Sequence, residues 1–305
     1  MLTGIDLPDV LLGGQGNDTL GGQYLSGELI DGGRGVDTLR LLDPSLDLRN
    51  PHTSQLRNLE RIDLSANGSQ RVIVSPLDVL NLSDDSNTLT IVAGAGDSLG
   101  LAGQWAFGGF QTISGRRHSL FESGAARVLV PVTIHLAIMM SDDGGEYELL
   151  LDGNETVVRD TAAFEFLRAP RSAFAGLEFV GSMNADHLTV LFDDNNPVPL
   201  SGLTFTADNA LESHGDSLQL VGAPSGGLFQ RIITRTTTEA QPVTHEEIQL
   251  DNTLIRSIGV DLIIDQLVAN RRDLIFNAAN STEDHRVTFN GTLDELAFEI
   301  SGDFF

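Results

Sequence analysis

The chain has 305 residues, with 43 acidic against 18 basic side chains and a formal charge of −25; every one of those bases is arginine, and there is no cysteine. That balance argues against nucleic acid or an anionic membrane surface as partner, because both need a cationic face. The missing thiols exclude disulfides, thiol catalysis and cysteine metal sites. What remains is a protein that binds cations or stays soluble by self-repulsion.

No apolar run is long enough to span a bilayer, so membrane insertion is not expected. Met1 is not followed by a basic-then-apolar leader. The expectation is a piece of a longer chain, or one exported by a route without such a leader.

The first segment, residues 1–42, contains "LLGGQGNDTLGGQYLSGELIDGGRGVDTLRLL" at 11–42. Two nearly identical strings stand in it, Gly13 to Leu20 and Gly32 to Leu39. Glycines allow a tight turn with positive φ and leave carbonyl oxygens exposed. Asp18 and Asp37 close the two turns with a carboxylate, and an all-oxygen donor set suits Ca²⁺. The leucine two residues on begins a short strand. A nine-residue unit is one turn plus one strand, so two units make a coil and turns on one edge recur about every eighteen residues. Gly13 and Gly32 are 19 apart, one coil plus one residue, which stacks the two turns with Asp18 and Asp37 facing a shared ion. The intervening unit, Gly22 to Ile30, has Gly27 where an aspartate belongs, and the preceding one keeps only Asp9.

These strings resemble the nonapeptide repeats of RTX proteins, G-G-x-G-x-D-x-U-x with U a large apolar residue. Gly13 to Gly21 and Gly32 to Arg40 fit the pattern fully. The resemblance implies a parallel β-roll, calcium held between stacked turns, folding on contact with extracellular calcium, and type I secretion. The implied ligands are the carboxylates of Asp18 and Asp37 with the carbonyls of Gly14, Gly16, Gly33 and Gly35.

Beyond residue 42, short Val-, Ile-, Leu-, Phe- and Thr-rich runs are bounded by Gly, Asn, Asp or Ser, as in "RVIVS", "TLTIVAG", "YELLL", "HLTVLF" and "SLQLVG". That is the strand-and-turn signature of an all-β chain. The fold class read here is all-β: a short N-terminal parallel β-roll continuing into β-solenoid-like or sandwich modules. Short helices are expected at 75–82 and 172–177, each opened by a serine able to cap it. A unit of turn, Asp, Ser/Thr/His and Leu recurs at Asp18, Asp37, Asp97, Asp186 and Asp216, favouring a stacked build. The segments are then 1–42, the calcium-binding repeats; 43–146, a β-rich module closed by the turn "SDDGGE"; and 147–305, a β-rich repeat module. The last two resemble modules beside RTX repeats in large bacterial adhesins and surface proteins.

Enzymatic readings find little support in the motifs. "GDSL" occurs at 96–99 and 215–218, but no histidine follows an aspartate by three positions, as the esterase family of that signature requires. His245-Glu246 lacks a histidine four residues on, so H-E-x-x-H is absent. "FDDNN" at 192–196 offers paired acids, with Arg171 and Arg231 as bases, for a polysaccharide lyase or epimerase; the competing reading is a turn ended by Asn-Pro. The sequence therefore points to a non-enzymatic, calcium-binding structural or adhesive segment, extracellular or at a bacterial cell surface. Its partners would be calcium ions and cell-surface or polysaccharide ligands. The alternative is a polysaccharide-active β-helix enzyme carrying the same repeats.

Overall fold

A computed structural model describes residues 2–4, 10–22, 29–50, 55–83, 86–94, 96–141, 143–192, 195–207, 215–223, 229–236, 244–267, 269–277, 285–293 and 296–299. It divides into two compact units: residues 1–137 with 172–175, and residues 138–171 with 176–305. The division falls near residue 137, and strand pairing runs through residue 42 without a break.

The strands up to this division are β1 (Leu2–Gly4), β2 (Val10–Leu12), β3 (Thr19–Gly22), β4 (Leu29–Asp31), β5 (Thr38–Leu41), β6 (Ser45–Asp47), β7 (Leu56–Arg57), β8 (Arg61–Asp63), β9 (Arg71–Val74), β10 (Thr88–Val92), β11 (Ser98–Leu101), β12 (Trp105–Ile113), β13 (Arg116–Ser123), β14 (Ala126–Pro131) and β15 (His135–Met139). One ladder climbs β1, β3, β5, β8, β10 and β14, every pair parallel. β2, β4 and β7 form a second parallel ladder, and β6, β9, β11 and β15 a third. This is the coil-by-coil build that the repeat period predicts. Leu2 pairs with Leu20 and Leu20 with Leu39, offsets of one coil and one coil plus a residue.

Alternation along the strands of the first ladder points apolar residues of successive coils into the core, where Leu20, Leu39, Ile62 and Ile91 are all buried. Each contributes about 1.5–3 kcal/mol relative to an exposed side chain. The coils then lengthen, because α1 (Pro76–Leu82) is inserted between β9 and β10, and β12 with β13 is inserted as an antiparallel hairpin before β14. The helix at 75–82 forms as the sequence predicts. Ser75 Oγ accepts the Asp78 N–H, Asp78 Oδ2 accepts the Ser75 N–H at 2.8 Å, and Pro76 opens the first turn. The helix expected at 172–177 reduces to one 3₁₀ turn, Arg171–Ala173. The residues after it are taken by a strand instead, since Leu177 pairs with Leu203 and is buried.

The second unit repeats the plan with β16 (Gly145–Asp152), β17 (Glu155–Asp160), β18 (Glu165–Pro170), β19 (Gly176–Val180), β20 (Asp186–Leu191), β21 (Leu203–Thr206), β22 (Ser217–Gly222), β23 (Phe229–Thr236), β24 (Thr244–Leu250), β25 (Thr253–Ile258), β26 (Leu262–Leu267), β27 (Ala269–Asn277), β28 (His285–Leu293) and β29 (Leu296–Glu299). β16, β20, β22 and β26 pair in parallel, as do β19, β21 and β25. Antiparallel hairpins β17–β18 and β23–β24 are again insertions. The chain is all-β and solenoid-like, with large parallel and mixed sheets.

Candidate metal centre

Two glycine turns lead into β3 and β5. Gly14, Gly16, Gly33 and Gly35 have φ of 94°, 103°, 94° and 147°, a region that residues with a side chain rarely occupy. The turns stack closely. A Cβ on Gly33 would lie 2.2 Å from the Gly14 carbonyl oxygen, and one on Gly35 would lie 2.1 Å from the Gly16 carbonyl oxygen. Backbone hydrogen bonds tie them, with Arg34 N–H donating to the Gly14 carbonyl and Gly16 N–H to the Arg34 carbonyl, both at 2.8 Å. Asn17 Oδ1 also accepts the Val36 N–H at 2.9 Å.

The structure brings Asp18 and Asp37 onto one corner. Asp37 is fully buried and Asp18 half-buried. Asp37 Oδ1 accepts the Asp18 N–H at 2.7 Å, and Glu60 Oε2 accepts the Asp37 N–H at 2.8 Å. Each rung thus caps the backbone of the coil before it. Oδ2 of Asp18 and Oδ2 of Asp37 are left buried with no hydrogen-bond donor. A buried anionic oxygen without a donor is costly and calls for a cation or a proton. The glycine cradle and the all-oxygen donor set fit a hard cation such as Ca²⁺. Among the described residues no three acidic, histidine or cysteine side chains converge. An ion here would therefore rest on two carboxylates and on the carbonyls of Gly14, Gly16, Gly33 and Gly35. Asp9 and Gly27, on the expected poorer edge, lie outside the described residues.

The recurring aspartates have a structural role that their spacing alone does not show. Asp97 Oδ1 accepts the Gln70 N–H at 2.9 Å and its Oδ2 the Gly94 N–H at 2.6 Å. Asp216 Oδ1 accepts the Asp186 N–H at 2.7 Å, and Asp261 Oδ2 accepts the N–H groups of Gly215 and Asp216 at 2.8 and 3.0 Å. Glu60 and Asp261 belong to this series and escape a reading by motif. Glu60 precedes Arg61, which pairs with Thr38, and Asp261 precedes Leu262, which pairs with Ser217. Burial pushes the Asp186 carboxyl upward, against the hydrogen bond from Ser182.

Compared with known proteins, the chain matches no family model, and it matches neither a curated protein nor a solved structure. Its chemistry must be read from its own residues.

The remaining motifs are then placed. In the second "GDSL", Ser217 Oγ lies 2.7 Å from His187 Nδ1, its register partner on β20. Among the described residues no carboxylate hydrogen-bonds that imidazole. In the first, Ser98 Oγ accepts Arg71 Nε at 3.1 Å. Arg171 Nη2 donates to the Val198 carbonyl at 2.5 Å. Asn196 Oδ1 accepts the Val198 N–H at 3.0 Å, as expected of a turn. Asp193 and Asp194 lie outside the described residues, as does the side chain of Arg231. "SDDGGE" contains a turn in which Gly144 N–H donates to the Ser141 carbonyl at 2.9 Å. Glu246 is fully buried, pairs with Ser257 across β24 and β25, and takes a hydrogen bond from Ser257 Oγ. Burial pushes its carboxyl up to about 7.

Proposed function

We propose that the chain is a non-enzymatic, calcium-binding structural or adhesive segment that works outside the cell. The observation that carries this reading is the pair of buried, donorless Oδ2 atoms of Asp18 and Asp37 beside stacked left-handed glycines. Calcium neutralises the two carboxylates and cross-links successive coils. In its absence a chain of charge −25 repels itself at this edge. Ion binding is then folding free energy, and the first coils close where calcium is abundant. Extracellular calcium modules work at about 10⁻⁴–10⁻³ M, and so small a ligand set supports a reading outside the cell.

The test is a thermal melt of the whole chain in EDTA and then in rising calcium, up to about 10 mM. A higher melting temperature with a gain of β signal is expected. β structure already complete in EDTA, with a melt indifferent to calcium, would assign the turns a purely structural part.

A further inference from the structure

A second site lies away from the glycine turns. Strand register sets residues of β8, β10, β14, β13 and β12 on one sheet face, opposite the core side chains Ile62, Ile91 and Val128. Arg61 pairs with Thr90, His118 with Pro131, and Arg116 with Ile113. The turn between β12 and β13, at Ser114 and Gly115 with φ of 50° and 78°, closes one side. The result is a pocket of about 230 Å³ whose polar lining is Arg61, Arg116, His118, Thr90 and Ser114. Its remaining wall is apolar, built by Val92, Ala93, Ile113 and Pro131.

Its charge is opposite to that of the molecule. No carboxylate lines it. Asp63 follows on the same face of β8, but its Oδ1 accepts both the N–H and the hydroxyl of Ser65. Glu122, at the far end of β13, is paired with Arg127 at 2.8 Å. Among the described residues Arg61 and Arg116 have no ion pair, whereas Arg49, Arg57, Arg159, Arg168 and Arg256 do. Arg61 Nε is buried without any acceptor. A buried guanidinium N–H with no acceptor lacks an oxyanion, just as a buried carboxylate with no donor lacks a cation.

We propose that this pocket binds an organic carboxylate with a hydroxylated body, the chemistry of an acidic sugar. Arg61 and Arg116 take the carboxylate, since guanidinium donors match its two oxygens. Thr90 and Ser114 offer hydroxyls, and the apolar wall receives the carbon skeleton. The site does not depend on the calcium reading, because none of its residues lies in the glycine turns.

The test is calorimetric titration of the whole chain with galacturonic acid, in calcium-containing buffer so that the turns are in one state throughout. Galactose, the neutral counterpart, and inorganic sulfate are run beside it. Saturable binding of galacturonate is expected, with none of galactose. The double variant Arg61→Gln/Arg116→Gln should bind at least about tenfold more weakly, with an unchanged thermal melt. Where that variant melts early, Thr90→Val on the intact arginines should still weaken binding. No saturable binding, equal binding by the variants, or sulfate displacing galacturonate at equal concentration would overturn the proposal.

Discussion

The glycine turns before β3 and β5 and the Asp186–Asp216–Asp261 corner of the second unit use one backbone device and differ in how they treat buried charge. In both, a carboxylate at the entry to a strand accepts an N–H from the coil before it. That bond alone holds coils in register, so an aspartate at this position needs no metal to explain it. The first region adds left-handed glycines, of which Gly33 and Gly35 stack on the Gly14 and Gly16 carbonyls with no room for a Cβ, and two donorless carboxylate oxygens in the same turns. In the second, Ser182 N–H donates to Asp186 Oδ2 at 2.5 Å, while Asp186 Oδ1 is likewise buried without a donor but has, among the described residues, no stacked pair of glycine turns beside it. There burial raises Asp186, as it raises Glu246 elsewhere in the same unit. In the second region burial pushes the Asp186 carboxyl toward its protonated form; for the first, a cation is the answer we propose. The motif therefore carries the stack, and the glycines carry the candidate metal site.

The largest effect that sharpens this contrast is on pH dependence. Glu246 titrates near 7 in the fold against 4.5 in the unfolded chain, so the native state holds the extra proton between those values. Its contribution is full below about pH 4.5, falls as pH rises to about 7, and is constant above; the loss is about 3 kcal/mol. Asp186, raised for the same reason, adds the same sign. Urea midpoints at pH 5 and pH 7.5 should separate in the wild type and draw together in Glu246→Gln. An equal separation in both would show that Glu246 is not held neutral.

A smaller effect separates the two corners directly. Asp37→Ala and Asp216→Ala each remove the acceptor of a neighbouring N–H, at a cost of about 1–3 kcal/mol. Both should therefore unfold at lower urea in EDTA. Only Asp37→Ala should also lose the stabilisation by calcium. If Asp216→Ala lost it as well, the two regions would not differ in the way described.

Much of the fold is legible in sequence where one face of each strand is buried. The leucines of the repeats and runs such as "TLTIV" alternate cleanly, and Ser75 with Asp78 announces the helix between them. The hairpin strands are harder. β12 fully buries only Trp105, so "WAFGGFQTI" carries no buried alternation to detect. Glu60 and Asp261 are hidden for another reason. Inserted segments stretch the coils, and their places beside Asp37 and Asp216 exist only in the register of the ladder. The same holds for Arg61 and Arg116, far apart in the chain and joined at one pocket by five adjacent strands.

The central claim is that Asp18 and Asp37 hold calcium between stacked turns, and calcium titration calorimetry on the wild type and on Asp18→Asn/Asp37→Asn tests it most directly. The asparagines keep the shape and an acceptor oxygen while removing both charges. The account predicts saturable calcium binding by the wild type and none at the same concentrations by the variant. Equal binding by the two proteins would place the calcium elsewhere and contradict it.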